Sequence, residues 1–305
     1  MKLIGAFFQL IRWQNLLFIA LTQLLYYYCI YWPLIHIDRS IQLFWLISAS
    51  VLIAAAGYII NDYFDLNIDL INKPDKNVFV KRINRRWAII WHFILSFVGI
   101  VITAIAVGIE KWYLITANIG CVALLWVYST SFKKRMLIGN VIISLLTSWT
   151  VLILFFAFTE PRHAYTLINP VIVRLFRITF LYAGFAFVIS LMREAIKDME
   201  DMEGDTRYGC KTLPIVAGTR STKIYVTVWN IVLLGSVSVL QLYIMQFRWW
   251  FAILYCIVFI IIPLVMLQRK LFNAFKPKEF RYLSNLTKLI MLTGIISMIF
   301  FKIYF

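Results

Sequence analysis

Long apolar stretches broken by short polar segments run the whole length of this chain. Nine of them approach the roughly 20 apolar residues that a helix needs to cross a bilayer. They fall near 15–35, 42–63, 87–109, 112–130, 138–159, 171–195, 224–246, 249–268 and 285–304. Backbone groups in lipid must pair within their own segment, so each run is expected to be a helix. The pattern predicts an all-α polytopic membrane protein, a bundle of nine transmembrane helices forming one domain over residues 1–305.

Composition agrees. Of 305 residues, 62% are hydrophobic and 14% charged, against about a quarter charged in soluble domains; the mean hydropathy is +0.83. Residues 1–14 make a poor signal peptide, because Arg12 follows the apolar stretch and no small-residue cleavage site comes after it. They read as an interfacial lead-in to the first span.

Charge adds an orientation. The net charge of +16 could suggest nucleic acid, but its distribution favours a membrane surface instead. All but seven of the 30 basic residues lie before 15 or within 64–86, 131–137, 193–223 and 269–288, which fall on one side of a nine-span topology. The positive-inside rule makes that side cytoplasmic, with the N-terminus inside, the C-terminus outside, and the cytoplasmic membrane as the expected location. No nucleic-acid partner is expected.

The acidic residues are distributed differently. Ten of the fourteen sit in two places: Asp62, Asp65, Asp69 and Asp75 around the end of span 2, and Glu194, Asp198, Glu200, Asp201, Glu203 and Asp205 around the end of span 6. On a helix, Asn61, Asp65 and Asp69 drift by only about 40° per step, with Asp62 at the edge of their face. In the second cluster, Glu194, Asp198, Asp201 and Asp205 fall within about 60° of one another on a helix. Like charges at this spacing repel, and near a membrane each carboxylate costs more still. A hard divalent cation offsets that cost, and Mg²⁺ is usually shared between one or two carboxylates and a substrate phosphate. Solvated helix ends explain either cluster alone, but two such rows on one side are harder to explain that way.

An offset of 140 residues places Asn61 on Asp201, Asp65 on Asp205 and Pro74 on Pro214. This suggests a pseudo-repeat, with one motif near 61–74 and the other near 198–214, whose rows could face each other across a central cavity open to the cytoplasmic side. Basic residues attend both rows. Lys73, Lys133, Arg193 and Lys197 are the ones expected to clamp a diphosphate. Tyr128 stands out among the aromatic residues because it ends span 4 just ahead of Lys133. The scattered cysteines, Cys29, Cys121, Cys210 and Cys256, show neither disulfide nor zinc spacing. His36, His92 and His163 suggest no site.

These features together resemble the UbiA superfamily of intramembrane prenyltransferases. "NDYFDLNID" (61–69) resembles its first motif, NDxxDxxxD, and "DMEGD" (201–205) its second, DxxxD. "RWQN" (12–15), "INKPDK" (71–76) and "YSTSFKKRMLIGN" (128–140) match supporting segments, so the resemblance reaches from residue 12 to about 220. It implies two Mg²⁺ ions, a prenyl diphosphate donor and a lipophilic acceptor. Carried over by position, Asn61, Asp62, Asp65, Asp69, Asp198, Asp201 and Asp205 would hold the metal. Asn61, Lys73, Lys133, Arg193 and Lys197 would bind the diphosphate, and Asp65, Asp201, Lys133 and Tyr128 would serve catalysis.

"KDMEDMEGDTRYGCKTLPI" (197–215) is similar to the branch that alkylates a glyceryl phosphate ether lipid. The segment after residue 76 lacks that branch's usual Pro-Ser-Gly, and the aromatic-acceptor branches, which prenylate quinone precursors such as 4-hydroxybenzoate, share the metal motifs. A membrane transporter is the reading from another class. It would place key charges near mid-span, whereas these spans have clean centres.

Overall fold

The lipid-solvent argument holds in the computed structural model, which describes residues 2–72, 85–159 and 169–304. Among these residues there is no strand, and nine helices are long and apolar enough to cross a membrane. A short helix α1 (Lys2–Leu10) leads in, and Leu10 and Ile11 bury against the bundle with Leu16, Ile59 and Leu66. The spanning helices are α2 (Trp13–Ile35), α3 (Ser40–Asn72), α4 (Arg85–Val107), α5 (Trp112–Thr130), α6 (Ile138–Phe158) and α7 (Pro170–Glu200). Two short helices follow, α8 (Met202–Arg207) and α9 (Leu213–Val216). The last three spans are α10 (Gly218–Met245), α11 (Trp250–Asn273) and α12 (Pro277–Tyr304). Pro33 and Pro263 lack an N–H to donate, and the backbone widens into π-helical turns at Tyr27–Tyr31 and Ile257–Ile261 just before them.

Several spans run past the ends that the hydrophobic pattern indicates, and two of those extensions carry the acidic rows. Helix α3 runs on to Asn72 and α7 to Glu200. Apolarity marks only the part of a helix that lies in lipid, and these two continue as polar helices past that boundary.

Most side chains that meet between helices are apolar, in three packed clusters. Polar side chains inside the bundle pair with one another: Tyr26 with Thr179 at 2.6 Å, Trp149 with Asn118 at 2.9 Å, and Asn230 with Gln268 at 2.8 Å. His92 lies against the Ala56 carbonyl at 3.0 Å, which accounts for it structurally.

Candidate active site

Helix α3 is the platform of the first row. Asn61, Asp65 and Asp69 follow one another at i,i+4, and all three line a cavity of about 710 Å³ between the helices of the bundle. Asp65 is buried, and its Oδ2 accepts from Asn61 Nδ2 at 2.7 Å and from Lys133 Nζ. Burial works against the Lys133 charge, but Asp65, Tyr128 and Asp69 outweigh it and hold the ammonium well above an ordinary lysine pKa. Asp62, at the edge of the row, accepts from Arg12 Nη2 at 2.6 Å. The attraction of Asp62 outweighs burial and raises the Arg12 pKa too. Neither cation comes from α3, so the charges of Asp62 and Asp65 are countered from other elements.

Both supplying segments have unusual backbones. Arg12 itself is left-handed, at φ 51°, and Leu137, which closes the Lys133 loop, is left-handed at φ 62°. Non-glycine residues rarely adopt this region, and their presence at functional sites is a recurrent form of stored strain. The loop also folds tightly onto α6. A Cβ at Gly139 would stand 3.0 Å from the Phe132 carbonyl oxygen and 3.1 Å from Lys133 Cα.

The second row is not a single helical face. Helix α7 stops at Glu200, Asp201 is its C-cap at φ −95° and ψ 6°, and Asp205 lies on the separate helix α8. The one-face expectation fails because the 100° repeat is interrupted at Asp201. Glu194 is buried, with Arg193 Nη1 at 2.9 Å and Lys197 Nζ at 3.3 Å. Asp198 accepts from Asn140 Nδ2 at 2.9 Å. Asp201, Glu194, Arg193 and Lys197 line the cavity, whereas Asp198 and the buried Asp205 are not among its lining residues. Burial, then Asp205, pushes the Cys210 thiol up to about 11, which leaves it protonated and a poor nucleophile.

One side chain ties the rows together. Asn72, the last residue of α3, donates to the Asp201 carbonyl at 3.0 Å and accepts from the Gly204 N–H at 2.8 Å. A Cβ at Gly204 would come within 2.6–2.7 Å of the Asn72 side chain, so glycine is required for this approach. Tyr128 completes the junction, since its charged neighbours are Lys133, Glu194, Asp65 and Asp198, drawn from both rows. Lys73, expected to clamp a diphosphate, lies outside the described residues, as does Asp75.

Sequence reasoning gave no role to Arg12, Asn72 or Asn140, and it counted Glu194 only as a member of the second row. Asn72 and Asn140 lie in segments that carried the family resemblance, but polarity alone does not distinguish them from other asparagines. Glu194 is buried in the second row, and its part is visible only beside Arg193 and Lys197.

Carboxylates at helix C-termini oppose the helix dipole, so α3 and α7 hold acid where it is least favourable. Such local conflict marks sites kept for a ligand. Among the described residues no three acid, histidine or cysteine side chains converge into a metal cage. Mg²⁺ does not need one, because substrate phosphate completes its shell. The donor set fits it: all are hard oxygens, and the buried Oδ1 of Asn61 has no hydrogen-bond partner.

The family model described as the UbiA prenyltransferase family matches residues 16–289. The chain belongs to the UbiA prenyltransferase family. Two of its relatives carry the name digeranylgeranylglyceryl phosphate synthase. That of Methanosphaera stadtmanae is 32% identical over 219 residues, 72% of this chain and 72% of its own length. That of Sulfurisphaera tokodaii is 31% identical over 220 residues, again 72% of each. A solved structure concerned with digeranylgeranylglyceryl phosphate synthase in membranes superimposes with a TM-score of 0.64 at 23% identity, covering 98% of this chain and 99% of that one. A UbiA homolog from Archaeoglobus fulgidus, bound to DMAPP and Mg²⁺, superimposes with a TM-score of 0.59 at 13% identity, covering 96% and 98%. At these identities the two structures establish the UbiA fold for this chain. Family membership makes the chain an integral membrane prenyltransferase and sets the transporter reading aside.

Proposed function

We propose that this prenyltransferase moves a prenyl group from its diphosphate to the hydroxyl of a glyceryl phosphate ether lipid, with Mg²⁺. The observation that carries this reading is that Asn61, Asp62, Asp65 and Asp69 of the first row, Glu194 and Asp201 of the second, and Lys133 line one cavity with apolar walls beyond. The names of the two relatives support the acceptor class, and the Archaeoglobus fulgidus homolog supports the metal and donor class.

Asn61, Asp62, Asp65 and Asp69 on one side, and Asp201 with Asp198 and Asp205 behind it on the other, are the residues that would hold the metal. Two ions, one for each row, is the stoichiometry that metal analysis would check. Bound Mg²⁺ would supply Lewis-acid stabilisation of charge on the leaving diphosphate. Lys133, held protonated, adds a fixed donor where that charge develops, with Arg193, Lys197 and Lys73 as further cations. The donor's tail lies along the apolar depth of the cavity, which runs on to Trp249, Phe300 and Phe301. Those walls keep water from the allylic cation once the C–O bond breaks, and the Tyr128 ring gives it a π face. The acceptor oxygen then forms the new C–O bond, and its proton leaves with the diphosphate.

The basic loops support a cavity opening to the cytoplasm, in the cytoplasmic membrane, with the N-terminus inside and the C-terminus outside. The test is a matrix of purified protein, Mg²⁺, prenyl diphosphates of several lengths, and glyceryl phosphate ether, 4-hydroxybenzoate and naphthoate acceptors, read by mass spectrometry. The expected product is the second ether on the glyceryl phosphate. Transfer to the aromatic acceptors alone would overturn the acceptor assignment.

A further inference from the structure

Six described cations line the cavity, and five of them stand on a carboxylate. Arg12 pairs with Asp62, Lys133 with Asp65, Arg193 and Lys197 with Glu194, and Arg281 with Glu200. Lys288 differs. Its Nζ donates to the neutral Asn15 Oδ1 at 2.8 Å and stands 5.1 Å from the centre of the Phe18 ring. Its charged neighbours, Arg193 and Arg12, both repel it. The Nε of Arg193 is buried and has no hydrogen-bond partner.

A partly buried ammonium crowded by like charges favours a counter-charge. Asp62 pairs with Arg12, and Glu194 with both Arg193 and Lys197, so neither carboxylate pairs with Lys288. Lys288 has three N–H donors, and Asn15 takes one of them. The patch meets the first row through the Arg12–Asp62 pair. It is formed where the start of α2 meets α7 and α12, whereas Asp65 and Lys133 come from α3 and the loop before α6.

We propose that Lys288, with Arg193 and Arg12 beside it, anchors a subsite for the phosphomonoester headgroup of the acceptor lipid, next to the metal-bound diphosphate of the donor. A phosphomonoester brings about −1.5 to −2 charges and three acceptor oxygens, enough for the Lys288 charge and the open donors. This assignment rests on the glyceryl phosphate reading above. It adds a reason for the enzyme to distinguish its two phosphorylated substrates: the donor's diphosphate is held by acids through metal as well as by cations, the acceptor's phosphate by cations without metal.

The experiment measures binding to the full-length protein in detergent, without donor, of a geranylgeranylglyceryl phosphate ether, its neutral glycerol counterpart and inorganic phosphate. Wild type should prefer the phosphate ether to the neutral ether, and Lys288→Gln should lose on the order of 10- to 100-fold in that preference, the span for a lost charged hydrogen bond. Lys288→Arg should keep most of it. Affinity for a non-reactive prenyl thiodiphosphate with Mg²⁺ should stay within about threefold of wild type. Equal weakening for both ethers, weakening of the donor analogue instead, or inorganic phosphate binding as tightly as the lipid would each overturn the subsite. If wild type prefers the phosphate ether but never prenylates it, the catalytic reading falls and the subsite stands. If glyceryl phosphates are prenylated and the glutamine variant handles them like wild type, the subsite falls alone.

Discussion

The first acidic row rides on one unbroken helix; the second is folded across a helix end. On α3 the backbone is regular, and the cations that balance the row arrive from far along the chain, Arg12 from the start of α2 and Lys133 from the loop before α6. At the end of α7 the arrangement reverses. The cations beside Glu194 are its own neighbours, Arg193 and Lys197, and the backbone is what turns to place Asp201 and Asp205. A rigid platform can present side chains by spacing alone. A bent one needs an external brace, and Asn72 supplies it from the other row.

Several substitutions test this contrast. The largest effect is expected at the centres of the rows. Asp65→Asn and Asp201→Asn should each cut single-turnover prenyl transfer by on the order of 10³-fold or more, with helical content unchanged by circular dichroism. A loss in only one of them would mean that a single row does the work. Lys133→Met should follow, lowering kcat by about 10²- to 10³-fold, the range for removing one preorganised donor. Because the Lys133 ammonium is held above the ordinary lysine pKa by Asp65, its charge is present at neutral pH and lost only as pH rises through that raised value. A loss of activity near pH 8 would therefore not come from Lys133.

Asn72→Ala probes the brace. Two hydrogen bonds go with it, and kcat/KM should fall by about 10- to 100-fold. Gly204→Ala should act in the same direction, since its methyl group would meet the Asn72 side chain. If both variants turn over like wild type, the rows do not depend on their connection. At the small end, Arg207→Gln removes an ion pair whose side chains are 62% and 68% exposed. Its effect on rate and melting temperature should be negligible, as for exposed pairs generally.

The same contrast explains what could be read from the sequence. The nine spans were legible because lipid leaves the backbone no alternative to helix. The first row was legible because α3 is regular and i,i+4 spacing translates directly into a face. The second row's helical face was not, because nothing local in "KDMEDMEGD" announces that the helix stops at Glu200. Arg12, Asn72 and Asn140 act on partners 50, 129 and 58 residues away. Such pairings belong to the fold, and periodicity cannot reveal them. Lys288 carries no motif at all; it is distinguished only by which partners the other cavity cations have.

The central claim is that both rows hold one donor diphosphate through divalent metal. Electron paramagnetic resonance of Mn²⁺, titrated into purified protein with a prenyl thiodiphosphate that cannot ionise, tests this without relying on turnover. The account predicts tight, diphosphate-dependent Mn²⁺ binding in wild type, and its loss in both Asp65→Asn and Asp201→Asn. Unchanged Mn²⁺ binding in either variant would contradict it.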